Sequence, residues 1–143
     1  MNLLFLGIDF EIVRGITSAL ILFQSDWRVS TINSGMECLD IVRKGNCPDV
    51  IIMNMHLDDM SGLELVCCIR DDSDVPIVII SGDNDEKALV SAFDAGVDVY
   101  IASPLKETIF AARLNALKRR LDWHKQANKN YLNTENNGKY ILS

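Results

Sequence analysis

Four short apolar runs, at residues 3–8, 50–54, 75–81 and 97–102, constrain this chain more than any other feature. Together they are rich in β-branched residues and mostly apolar rather than alternating, as suits strands covered on both faces, and hence a parallel sheet. A fifth stretch, Trp-Arg-Val-Ser-Thr-Ile at residues 27–32, alternates instead, as a strand nearer an edge would. Helical patterns separate the strands. Residues 10–24 set Phe10, Val13, Ile16, Thr17, Leu20 and Phe23 on one stripe. Residues 35–44 follow Ser34, a natural N-cap, and residues 61–71, 84–94 and 105–122 complete the set. Five β-α units with short connections and right-handed crossovers make a doubly wound α/β sandwich.

In such a sheet, ligands sit outside the carboxyl ends of the strands, where the strand order reverses. Those ends carry Asp9, Asn54, Ser81-Gly82 and Ser103-Pro104, far apart in sequence and expected to share one crevice. No G-x-G-x-x-G follows the first strand, and no G-x-S-x-G turn exists, so neither a dinucleotide cradle nor a serine hydrolase is expected. The four cysteines form no C-x-x-C pair and read as reduced thiols, with adjacent Cys67-Cys68 a minor possibility for redox control. No apolar run approaches the ~18 residues of a membrane span, and the start lacks a secretory pattern, so the chain reads as cytoplasmic with no membrane partner.

Charge is segregated. Residues 1–117 hold 8 Lys and Arg against 18 Asp and Glu, whereas residues 118–143 hold 6 against 2. An acidic body is a poor surface for nucleic acid. The Asn-rich text after Trp123 reads as a polar tail, giving a domain at 1–122 and a linker at 123–143, with a turn at Asn137-Gly138.

Four stretches in order carry a resemblance over residues 2–122. They are LLFLGIDFEIVR, PDVIIMNMHLDDMSGLELVCCIR, VPIVIISG, and DAGVDVYIASPLKETIFAARLNALKRR with its Ala-Gly and Ser-Pro regions. The chain resembles the receiver domain of two-component response regulators, most closely the OmpR/PhoB winged-helix branch. That resemblance implies a five-stranded parallel sheet in the order 2-1-3-4-5. It also implies a metal-assisted phosphoacceptor site, here degenerate. The acidic pair falls on Ile8 and Asp9, the acceptor on Asn54, the switch hydroxyl on Ser81, the lysine on Ser103 before Pro104, and the switch aromatic on Tyr100. An amide is no useful nucleophile, and Asp9 alone makes a weak Mg²⁺ site, so neither phosphorylation, enzymatic activity nor a cofactor is expected. Asp58 and Asp59, on the loop after Asn54, are the alternative acceptors, and a small ligand in the emptied crevice is the other alternative.

The resemblance places the dimer face of this branch on the fourth helix, fifth strand and fifth helix. Usually charged positions there are Leu89, Val99 and Ile109, while Arg113 is kept. A hydrophobic homodimer independent of phosphate is the expectation, serving a transcriptional regulator whose DNA contacts lie in a domain outside this chain. The alternative is a stand-alone module that docks a histidine kinase or scaffold protein.

Overall fold

A computed structural model describes residues 1–24, 26–83 and 85–136, with side chains as far as residue 128. Strands β1 (Asn2–Leu6), β2 (Arg28–Ile32), β3 (Val50–Asn54), β4 (Ile77–Ser81) and β5 (Val99–Ala102) alternate with five helices. These are α1 (Phe10–Leu22), α2 (Gly35–Arg43), α3 (Gly62–Asp72), α4 (Glu86–Ala95) and α5 (Glu107–Asn136). All strand pairings are parallel, in the order β2-β1-β3-β4-β5. The expected sheet is the observed one.

Pleating divides the core. Leu4, Leu6, Ile51, Met53, Ile77 and Ile79 face α2, α3 and α4. Leu3, Phe5, Val50, Ile52, Val78 and Ile80 face α1 and α5. Continuous apolar runs in the sequence thus feed two cores at once, and β1, β3 and β4 are buried from both sides. β2, at one edge, is mostly exposed, as its alternation requires.

Local chemistry sets the helix ends. Ser34 caps α2 by accepting the N–H of Glu37, and Ser61 caps α3 by accepting that of Leu63. Gly96 ends α4 with φ +114°, a conformation costly for any residue with a Cβ. Arg70, in the last turn of α3, donates to the carbonyls of Gly96, Ser73 and Val75 and to the Asp98 carboxylate, which also accepts the Ile77 N–H. One guanidinium thereby ties together the ends of α3 and α4 and the starts of β4 and β5.

Two expectations need correction. Phe10 and Phe23, at the ends of the α1 stripe, are exposed, Phe10 to 73%. Only the middle of α1 (Val13, Ile16, Leu20) lies against the sheet; its ends overhang. The last helix continues through the Asn-rich text to Asn136 instead of stopping near 122. Lys, Arg, Leu, Gln and Ala over 117–127 favour helix, and no Pro or Gly interrupts before Gly138. Lys118 pairs with Asp26, and Lys125 with Asp49 at 3.1 Å, holding the helix beneath the sheet. A linker over 123–136 is therefore helical, and the Asn137-Gly138 turn lies outside the described residues.

Candidate functional site

The crevice forms where β1, β3, β4 and β5 end. β1 finishes at Leu6, and Gly7 turns the chain with φ +65°, its N–H donating to the Ile32 carbonyl at 3.0 Å. Ile8 then packs partly against the α1/α5 core, which removes that side chain from the crevice mouth. Asp9 is exposed at the start of α1, where its carbonyl accepts the N–H groups of Ile12 and Val13 and its carboxylate makes no cap bond.

Asn54, the last residue of β3, is half-buried. Its Nδ2 donates to the Gly7 carbonyl and its Oδ1 accepts the His56 N–H, each at 3.5 Å. Both ends of the amide are therefore occupied by backbone. A carboxylate has no proton to give Gly7, so an amide suits this position chemically, and an aspartate would face the carbonyl's negative end.

A second group lies across the crevice. Ser81, the one buried polar residue among the described residues, accepts the Asp83 N–H on Oγ at 3.1 Å. Tyr100 packs against the α2–α4 core and donates its hydroxyl to the Asp83 carbonyl. The Ser103 N–H donates to the Ser81 carbonyl at 2.8 Å, and the Ser103-Pro104 bond is cis. Ser81, Tyr100 and Ser103 are thus brought together around the loop after β4. Asn54 belongs to a separate group with Gly7 and His56, and among the described residues no side-chain bond joins the two groups.

These residues do not fit Mg²⁺. A divalent cation of this kind needs several hard oxygen ligands in octahedral array. Asp9 supplies one carboxylate, Asn54 is turned to its backbone partners, and among the described residues no three His, Cys, Asp or Glu side chains converge.

Of the two alternative acceptors, Asp58 is exposed, and Asp59 has a structural task. The Asp59 carboxylate accepts the N–H groups of Gly35 and Met36 and the Ser34 hydroxyl, all at 3.0 Å. Donation from Gly35 and then Met36, at the positive end of α2, holds its pKa below the ordinary value. Sequence reasoning missed this role, because the carboxylate caps a helix 23 to 25 residues upstream of it. The Ser34-Gly35 start of α2 was the available signal, and it could not name its partner.

Away from the crevice, β5 is the free edge of the sheet, flanked by α4 on one face and α5 on the other. Leu89 is 36% exposed and Ile109 51%, with Arg113 exposed beside Ile109. Val90 and Phe93 add apolar surface on α4 that the sequence reading did not single out. Val99 corrects the expectation of an outward position: it is half-buried, packed on the α1/α5 core, and lines a groove with Ile101, Phe110, Arg113 and Leu117. β-strand alternation sends Tyr100 to one core and Val99 and Ile101 to the other. Cys38 is fully buried and its thiol is pushed up to about 12, chiefly by burial, which leaves it inert, whereas Cys67 is exposed.

Comparison with known proteins agrees with this geometry. Residues 9–115 match the family described as the response regulator receiver domain. The transcriptional regulatory protein CseB of Streptomyces avermitilis is 30% identical over 112 residues, covering 78% of this chain and 47% of that protein. KdpE of Mycobacterium tuberculosis is 34% identical over 94 residues, covering 66% and 41%. The chain spans about half the length of the curated relatives it matches. A crystal structure of a two-component response regulator from Clostridium difficile superposes with a TM-score of 0.73 at 22% identity, covering 85% of this chain and 98% of that one. Among the described residues, no helix is long and apolar enough to cross a membrane.

Proposed function

Because the chain belongs to the response regulator receiver family, we propose that it is a receiver that works without phosphorylation, a cytoplasmic, non-enzymatic domain that holds a transcriptional regulator as a dimer. The observation that carries this reading is the Asn54 amide. It stands where the resemblance puts the acceptor, and it is engaged at both ends by the Gly7 carbonyl and the His56 N–H. An amide oxygen carries no charge and its nitrogen lone pair is delocalised, so neither attacks phosphorus. With Ile8 and Ser103 in place of an acid and a lysine, the metal and phosphoryl contacts are lost together, and no buried cation is left without a counter-charge.

The test is direct. Incubation with phosphoramidate and Mg²⁺ leaves the intact mass unchanged, whereas one added phosphate on the wild-type chain overturns the proposal.

Dimerisation through α4, β5 and α5 rests on Leu89 and Ile109, exposed aliphatic side chains flanking the edge strand, with Val90 and Phe93 beside them and Arg113 at the rim. At about 25 cal/mol per Å², burying a few such side chains on each partner yields several kcal/mol before the cost of association. In light scattering at micromolar concentration the chain runs as a dimer and Leu89→Arg as a monomer. A monomeric wild type, or an intact Leu89→Arg dimer, removes this part of the reading. DNA binding then belongs to a part of the protein outside this chain, as expected where the match covers 45% of relatives named as DNA-binding response regulators.

A further inference from the structure

We propose that the groove between β5 and α5 binds a small amphipathic anion, a carboxylate of medium chain length. Its acid group lies between Lys106 and Arg113 and its apolar body lies under α5. This site goes beyond the dimer reading and does not depend on the state of Asn54.

Two adjoining hollows make the groove. The upper one, about 170 Å³, lies past the end of β5 among Ile101, Pro104, Lys106, Ile109 and Arg113. The lower one, about 240 Å³, runs along the free edge strand over Val78, Val99, Ile101, Phe110, Leu114 and Leu117. Ile101, Phe110 and Arg113 line both, so the two are continuous. Every side chain lining the lower hollow is apolar except Arg113 and Arg120, and every one lining the upper hollow except Lys106 and Arg113.

Charge in the groove is one-sided. Lys106, just before α5, and Arg113 and Arg120 within it recur every seven residues, about two turns apart, and so share one side of the helix. All three are exposed, and among the described residues none makes an ion pair, whereas Arg70, Lys118 and Lys125 each have a carboxylate. The resemblance expects acids at positions 99 and 109. This chain has Val99, packed on the α1/α5 core, and Ile109. The groove thus keeps its cations and carries apolar floor where their counter-charges would stand. A carboxylate from solution supplies the missing half of a charge-assisted hydrogen bond, and the carbon behind it gains from burial.

Size and field narrow the ligand further. A water's share of the liquid is about 30 Å³, so the lower hollow holds roughly eight groups of that size, a chain of about eight carbons or one substituted ring. A helix is about 10 Å across with its side chains and is too wide to enter. Asp98 lines the next hollow, toward the start of β5, with Arg120 and His124, and its carboxylate directs the acid group to the opposite, Lys106 end. The net charge of −6 repels any anion at a distance, but that field is screened beyond about 8 Å at physiological salt, and the nearby cations decide.

Sodium octanoate is the probe, titrated into the full chain and followed by amide chemical shifts and calorimetry. Saturable shifts are expected at Val99, Ile101, Phe110 and Leu117, and none at Asp9, Asn54 or His56. The exposed-site variant Lys106→Gln/Arg113→Gln keeps the wild-type melting temperature and binds octanoate about tenfold more weakly, the factor set by losing a hydrogen bond to a charged group. The alcohol 1-octanol, with the same chain and no charge, is weaker by about the same factor. Absence of saturable shifts in the groove overturns the proposal, as does equal affinity for 1-octanol or for the double variant. Octanoate that enters Leu89→Arg but not the wild type overturns it too, because a second copy is then the occupant. Phosphate uptake by the wild-type chain would sink the proposed function alone, since the titration reads the groove without reference to Asn54.

Discussion

The two edges of the sheet are built from different materials. At the amino edge, where strands begin and helices end, charge does the fastening: Arg70 with Asp98, Lys118 with Asp26, Lys125 with Asp49, and Arg43 with Asp72. At the carboxyl edge, where the family's chemistry belongs, no ion pair is found among the described residues. An amide, two serine residues, a tyrosine hydroxyl and an Asp59 carboxylate whose partners are the Ser34 hydroxyl and two backbone N–H groups hold it instead. A site that must accept and release phosphate keeps charges unsatisfied in the resting state. On the proposed reading, a site relieved of that duty is free to satisfy its polar groups locally, as the Asn54 amide does with the Gly7 carbonyl and the His56 N–H.

That contrast breaks most sharply at Arg70. Its side chain is 21% exposed and reaches three carbonyls and a carboxylate, so Arg70→Ala leaves several groups unpaired at once. Discounting for the half-exposed Asp98, the expected loss is about 2 kcal/mol, read as a lower urea midpoint with an unchanged slope. Asn54→Ala, at the opposite edge, is expected to cost less than about 1 kcal/mol, because both of its hydrogen bonds are long. An Asn54→Ala loss equal to that of Arg70→Ala would erase the distinction between the edges.

The smallest effect is in the pH dependence. Asp26 is held below its ordinary pKa by the Lys118 hydrogen bond. Burial raises the Asp49 carboxyl, but the Asn2 N–H and Lys125 outweigh it and leave that pKa lowered too. For each, the unfolded carboxyl takes up its proton at a higher pH than the folded one. The stabilisation is complete above the ordinary carboxylate range and fades as pH falls through the lowered folded values, below about pH 4. Asp49→Asn should lower the neutral plateau of a pH–melting curve slightly and leave its acid end nearly unmoved, so that the acid limb flattens, and high salt should do part of the same. A change in acid larger than that at pH 7 would contradict the assignment.

How far the sequence spoke depended on the range of the interaction. Residues 50–54 read as a buried strand because every position is apolar until Asn54, and β3 has those bounds. The Ser34 cap was legible for the same local reason. The crevice residues were placed by their position at strand ends, a consequence of topology rather than of composition. What escaped were partners set by tertiary approach. Nothing near Leu57 in the chain announces that Gly7 and Gly35 make its seat, and nothing near Val99 reveals that strand alternation turns it inward. The length of α5 was misjudged because five Asn over 128–137 suggested a coil, although no helix breaker precedes Gly138.

That unbroken helix fixes direction as well as distance. At 1.5 Å per residue, α5 is a rod about 45 Å long. Each residue also turns the backbone by about 100°, so the 27 steps from Ile109 to Asn136 make about seven and a half turns. The backbone at Asn136 therefore sits on the side opposite Ile109, with its azimuth set by arithmetic along the rod. Adding or removing one residue below Leu121 would swing that end through more than a quarter circle, while seven residues would nearly restore it.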